Sequence, residues 1–167
     1  MRVALIPGSF DPFHNGHLAV VTLAARHFDK VVVAAVRNPG KEPLFSLEDR
    51  ELMLKESLED LENVTSRSFS GLVVDLAAEL GAAAIVKGLR AVSDLENELQ
   101  MAQMNYRTSG IDTLFVPATS SESFLASKYL KEFARGGRVE EMASMVPPPV
   151  LRRLRELYHA GAEKDEQ

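Results

Sequence analysis

The 167-residue sequence contains no cysteine, which excludes disulfides, thiolate catalysis and cysteine–metal sites together. Positive charge is in short supply as well. The formal net charge is −5, so a basic face for a phosphate backbone is not expected, nor is nucleic acid as the main partner. No apolar run approaches the ~20 residues a membrane helix requires, so no membrane partner is expected. The apolar start is too short for a secretory signal and runs straight into a glycine turn; the expectation is a cytoplasmic protein. Neither a Walker A sequence nor a G-x-G-x-x-G fingerprint occurs, so nothing supports a P-loop ATPase or a dehydrogenase. The four histidines and the many carboxylates show no metal-ligand spacing. There is no internal repeat and no linker to a second domain.

What is present reads as a globular chain, with 46% apolar and 26% charged residues and enough length for one cored domain. An apolar run, Val3 to Ile6, leads into Pro7-Gly8-Ser9-Phe10-Asp11-Pro12-Phe13-His14-Asn15-Gly16-His17, and a helical pattern follows from Leu18 to Phe28. Val31 to Val36 is a continuous apolar run suited to a strand covered on both faces. A loop of turn residues from Arg37 to Pro43 precedes Ser46 and Asp49, a capping box for a helix over 47–58. A polar strand over 64–69 comes next. A helix through Leu72, Leu76 and Leu80 is closed by Gly81. Ala82 to Val86 reads as a buried strand running into Lys87-Gly88-Leu89-Arg90, and a helix over 92–108 stops at Gly110. A fifth strand over 113–116 leads to a serine cluster at 120–123. Helices over 124–135 and 148–158 follow, joined through Gly136-Gly137, with proline accepted in the first turn of the last. The domain spans 1–158, and 159–167 is expected to be a polar, frayed tail. Strand–helix alternation predicts an α/β fold: a single-domain, Rossmann-like, doubly wound five-stranded parallel sheet with C-terminal helices.

Such sheets bind ligands beyond the carboxyl ends of their strands. The segments leaving the strands here carry Gly8-Ser9 with both histidines, Arg37 to Lys41, Ser70-Gly71, Lys87 to Arg90, and the serines. One edge of the sheet is equipped for anions. A helix N-terminus offers unpaired N–H groups, and His14 and His17, three residues apart, would share a face there. Gly8 and Gly16 are expected to let backbone approach a ligand closely, and Pro7 and Pro12 to stiffen the turn. His27 and His159 read as surface residues. Met101 and Met104 read as core or subunit interface, and Asp94 with Glu98 fits a solvated helix face.

The H-x-G-H pattern within G-S-F-D-P-F-H-N-G-H resembles the nucleotidylyltransferase superfamily signature. From Arg2 to about Tyr158 the chain is similar to the bacterial phosphopantetheine adenylyltransferase family. The closest correspondence is in Pro7 to Pro12, Lys41 to Phe45, Lys87 to Arg90 with Asp94, Glu96 and Glu98, and Leu99 to Asn105. The resemblance implies that Ser9 contacts both substrates, that the Phe10 backbone and His14 meet the triphosphate, and that His17 stabilises the transition state at the α-phosphate. It places Lys41, Val73 and Lys87 along the phosphopantetheine arm. Gly88, Leu89, Arg90 and Glu98 would hold the nucleotide, and Ser123, Phe124 and Ser127 would close over it. It further implies Mg²⁺ carried by ATP, 4′-phosphopantetheine as acceptor, dephospho-coenzyme A and coenzyme A as product or inhibitor, pyrophosphate release, and a homohexamer.

Four positions depart from that pattern: His14 where the family often has Thr, Lys87 for Arg, Asn97 for a tyrosine, and a reduced serine element at 121–128. A phosphate nucleophile loses its second proton near pH 6. The expected mechanism therefore needs no general base and relies on positioning and charge, with His17, Lys41 and Arg90 at its centre. Two alternatives stand beside it. One is a sister enzyme acting on nicotinamide mononucleotide or a cytidylyl donor; the other is a non-catalytic nucleotide-binding module.

Overall fold

The computed structural model describes residues 1–118 and 121–162. Five strands, β1 (Val3–Gly8), β2 (Lys30–Val36), β3 (Val64–Phe69), β4 (Ala84–Leu89) and β5 (Asp112–Pro117), form one parallel sheet in the order β3-β2-β1-β4-β5. Helices α1 (Asn15–His27), α2 (Leu47–Ser57), α3 (Val73–Leu80) and α4 (Val92–Ser109) make the crossovers. After β5 come α5 (Ser127–Arg135), a 3-10 helix (Val139–Ser144) and α6 (Pro148–Ala162). The expected doubly wound arrangement is the observed one.

Successive strand residues point to opposite faces, and the core divides accordingly. Ala4, Ile6, Val31, Val33, Ala35, Ala84 and Val86 face a large cluster filled by α1, α2, α5, α6 and the 3-10 helix. Val3, Leu5, Val32, Ala34 and Ile85 face a smaller one closed by Leu76 and Ala77 of α3. The three central strands are covered on both sides, which explains their unbroken apolar runs. The edge strands β3 and β5 bury no residue fully. α4 also has no buried residue over its 18 positions.

Several boundaries differ from expectation for local reasons. α1 begins at Asn15, ahead of the apolar pattern, because His14 caps it. β4 begins at Ala84, because Ala82 is still used in leaving α3, its N–H donating to Ala77 O at 2.9 Å, and Ala83 N makes a single bond to Val3 O at 2.7 Å ahead of the ladder. β4 also runs on through Leu89, so Lys87, Gly88 and Leu89 are strand residues paired with Phe115, Val116 and Pro117. α5 starts at Ser127 instead of Phe124, since Leu125 N donates to Glu122 O in a turn. The 3-10 helix was not expected. α6 continues through Ala162, past the anticipated start of fraying. Ser120 of the serine cluster, the His159 side chain and residues 163–167 lie outside the described residues.

Candidate active site

The turn after β1 is built around its own aromatic rings. Phe10 takes a left-handed φ of 47° and folds its ring over Gly8, where an added Cβ would meet ring carbons at 2.8–2.9 Å. A Cβ on Gly16 would meet His14 Cε1 and Nδ1 at 2.9 and 3.0 Å. Both glycines therefore make room for a side chain of the turn itself. His14 is the N-cap of α1. Its Nδ1 accepts from Gly16 N at 3.1 Å and His17 N at 3.4 Å, and His14 N donates to His17 Nδ1 at 3.2 Å. This is a capping box made from two imidazoles. The rings stack with centroids 3.6 Å apart and 20° between planes, and Phe13 stacks on His17. Burial, then Arg90, lowers the His14 pKa to about 3. Burial, then His14, Arg90 and Lys87, holds His17 well below the ordinary imidazole value.

Beside this turn lies a cavity of about 290 Å³. Segments after β1 (Ser9, Asp11), after β2 (Arg37 to Lys41) and from α5 (Ser127, Lys128, Lys131) line it, with Arg50 of α2. These are carboxyl-end segments, and β1 borders the point where the strand order reverses. Among the described residues the cavity lining holds five cations, Arg37, Lys41, Arg50, Lys128 and Lys131, and one carboxylate, Asp11. Asp11 is fully engaged. Its oxygens accept from Leu44 N at 2.8 Å, Phe45 N at 2.9 Å and Lys131 Nζ at 3.3 Å. Buried Arg50 donates to Ser9 O at 2.8 Å and Val36 O at 3.3 Å. Burial lowers its pKa, and Asp11 opposes that shift. Asp11 thus ties the loop carrying Lys41 to α5 across the cavity.

The expected site residues separate into groups. Ser9, Lys41 and Ser127 line the cavity. Ser127 Oγ also donates to Pro12 O at 2.8 Å. His14 and His17 are not in its lining, but Phe10, whose ring is 5.0 Å from that of His17, belongs to the same turn as Ser9 and Asp11. Arg90 exerts its charge on both histidines. It donates to Leu125 O at 2.7 Å and pairs with Asp94 at 3.4 Å, holding the segment before α5. Lys87 and Glu98, expected on different substrates, pair with each other at 3.2 Å. Gly88 packs under α1, 2.8 Å being left between an added Cβ and Val20 Cγ2, and Leu89 ends β4.

Val73 opens α3 and packs on the smaller core. Ser123 is exposed. Phe124, 62% exposed, lines a separate apolar groove with Tyr129, Phe133, Met142 and Met145. His17, Lys41 and Arg90 therefore do not surround one cavity: Lys41 lines it, and the other two adjoin the turn that forms one of its walls. Arg50 and Lys131 were missed. The only sequence signal for Lys131 is its spacing from Ser127, one helical turn that puts both on one face.

A parallel sheet of this order, with a histidine-capped helix at the exit of its first strand and a cation-lined cavity beside it, suits the phosphates of a nucleotide, and the chain's family is one of nucleotidyltransferases. The cytidylyltransferase-like family matches residues 5–133. The chain is 43% identical to a phosphopantetheine adenylyltransferase of Thermobifida fusca over 99% of both chains. It is 47% identical to one of Streptomyces coelicolor over 93% of this chain and 97% of that one. In fold it is similar to Thermotoga maritima TmcAL bound with alpha-thio ATP, with a TM-score of 0.67 at 15% identity over 96% of this chain and 57% of that one. The chain belongs to the phosphopantetheine adenylyltransferase family.

Proposed function

We propose that the chain transfers the adenylyl group of ATP to 4′-phosphopantetheine, giving dephospho-coenzyme A and pyrophosphate in coenzyme A synthesis. The observation that carries this reading is the five-cation cavity beside two imidazoles at the N-terminus of α1. The near full-length match to adenylyltransferases of this name supports the choice of acceptor. The attacking phosphate is already ionised at neutral pH. The one carboxylate that lines the cavity among the described residues, Asp11, is held by two N–H groups and a lysine, so it is not available as a base. Rate then comes from holding two polyanions in line and stabilising the charge that develops. Ser9 and Lys41 would hold the acceptor phosphate, with Lys128 and Lys131 toward the leaving pyrophosphate. His17 donates at the α-phosphate, and Arg90 adds charge and fixes the 122–127 segment. Losing one such donor costs ~10²–10³ in rate.

Mg²⁺ would arrive on the triphosphate and neutralise part of its charge. The donor set fits that route better than a resident site: among the described residues no three acidic or histidine side chains converge, and the cavity that holds Asp11 is otherwise lined by cations and neutral residues. No helix among the described residues is long and apolar enough to cross a membrane, in keeping with a cytoplasmic enzyme. α4 leaves Val92, Met101, Met104 and Tyr106 between 59% and 85% exposed. A second copy of the chain would cover them, as a homohexamer requires. Coenzyme A shares the acceptor's arm and would compete for the same site.

The test is pyrophosphate release from Mg²⁺-ATP with either 4′-phosphopantetheine or nicotinamide mononucleotide. Release with the first alone is expected. Turnover of the second would indicate the sister activity, and release with neither a nucleotide-binding module.

A further inference from the structure

In a capping box the N-cap side chain is usually a hydroxyl or carboxylate and the partner at the third helical position a Glu or Gln. Here both roles fall to imidazoles. Each Nδ1 faces a backbone N–H: that of His17 accepts from His14 N at 3.2 Å, and that of His14 from Gly16 N and His17 N at 3.1 and 3.4 Å. A neutral imidazole has one N–H and one lone pair. With both Nδ1 lone pairs committed, each ring's proton sits on Nε2. Placing a second proton on either Nδ1 would oppose N–H to N–H and break the box.

We propose that His14 is a positioning residue for His17: as cap of α1 and as the ring stacked on His17, it locks both imidazoles in the neutral Nε2–H form. His17 then meets the reacting phosphate as a fixed hydrogen-bond donor and never as a proton acceptor. The inference rests on the adenylyl-transfer reading for its use, but not for its geometry.

The surroundings point the same way. The N-terminus of α1 carries a partial positive charge that disfavours a cation there. From β4 and the segment after it, Lys87 and Arg90 act on His17, and Arg90 acts on His14. Their partners Glu98 and Asp94 offset only part of that charge. From the turn, Phe10 and Phe13 offer rings without charge. Stacked centroids 3.6 Å apart make a charge on one ring costly for the other. His14, 1% exposed, has no partner for its Nε2 among the described residues, so a charged ring there would be both dry and unpaired. A threonine at position 14 would also cap the helix. Its backbone N–H would still face His17 Nδ1, but it could not stack on that ring. The stacking half of the lock is therefore a property of this chain's histidine.

The experiment is long-range ¹H–¹⁵N correlation on histidine-labelled protein without substrate, titrated from about pH 8 to about pH 5.5, across the ordinary imidazole range. His14 and His17 are expected to give the neutral Nε2–H pattern throughout. In His14→Thr, which removes the ring stacked on it, His17 is expected to begin titrating at the acid end of the range, its midpoint rising from the wild-type value. The variant's kcat/KM relative to wild type should then change across the same range, since the substrate's own ionisation cancels in the ratio. A proton on Nδ1 of either ring, or a wild-type midpoint inside the range, overturns the lock. An unchanged His17 signal in the variant overturns the role of His14. If His14→Thr fails to fold, His14→Asn, which also caps, is read in the same way. Because the spectra need no turnover, an inactive enzyme with locked rings would count against the assigned reaction and not against the lock.

Discussion

Gly16 leaves no room for a methyl group, because the His14 ring occupies the place where one would go. In Gly16→Ala that ring must tilt, and both N–H bonds to its Nδ1 lengthen. Turnover should fall by at least ~10-fold, since the ring that holds His17 moves, while circular dichroism stays that of a folded chain. Wild-type turnover in this variant would mean that the ring position is immaterial. Asp11 invites a different substitution. Asp11→Ala strands two backbone N–H groups and leaves the neighbouring Arg50 and Lys131 without their countercharge, a loss of roughly 3–5 kcal/mol by the usual cost of breaking a buried pair. Urea unfolding measures it, and a loss below about 1 kcal/mol would show that the carboxylate is not the hub its contacts suggest. At this scale residue types were legible and their partners were not. The histidines, Ser9 and Lys41 stand out by kind and place. That Gly8 and Gly16 serve rings of the turn, or that Asp11 joins residues 33, 34 and 120 positions away, is tertiary information with no local signal.

Elements bounded by a chemical stop were readable. β3 occupies the expected 64–69, α2 is capped by Ser46 Oγ accepting from Asp49 N at 3.0 Å, and α3 and α4 end at glycines with φ of 59° and 73°. Where periodicity alone marked a boundary, pairing or capping moved it, as at both ends of β4 and the start of α5. The 3-10 helix is too short to leave a period. α4 raises a separate question, because a helix of 18 residues with nothing buried gains little from packing within its own chain. Met101 and Met104 are three residues apart on one face and 59% and 61% exposed. A partner subunit that covers them would reject charge there. Changing both to Glu should yield monomers by light scattering without loss of helical signal. An undiminished assembly would place the subunit contact elsewhere.

Across the whole molecule, charge is segregated: a chain of net charge −5 gathers five cations around one cavity and keeps two imidazoles uncharged next to it. That arrangement suits polyanionic reactants, and it makes stability depend on pH in a definite direction. His14 and His17 have folded-state pKa values depressed by burial and by cationic neighbours, whereas unfolded histidine titrates near ~6.5. Between about pH 6.5 and the folded values the unfolded chain binds protons that the folded chain refuses, so stability falls as pH falls through this window. The slope reaches ~1.4 kcal/mol per pH unit for each histidine that stays neutral. It should be visible in urea midpoints between about pH 7.5 and 5.5, above the ordinary carboxyl range. His14→Thr removes one of the two groups and should flatten the slope. A wild-type midpoint constant across that window would mean that the rings accept protons in place. The site would then present imidazolium ions to its substrates instead of neutral donors.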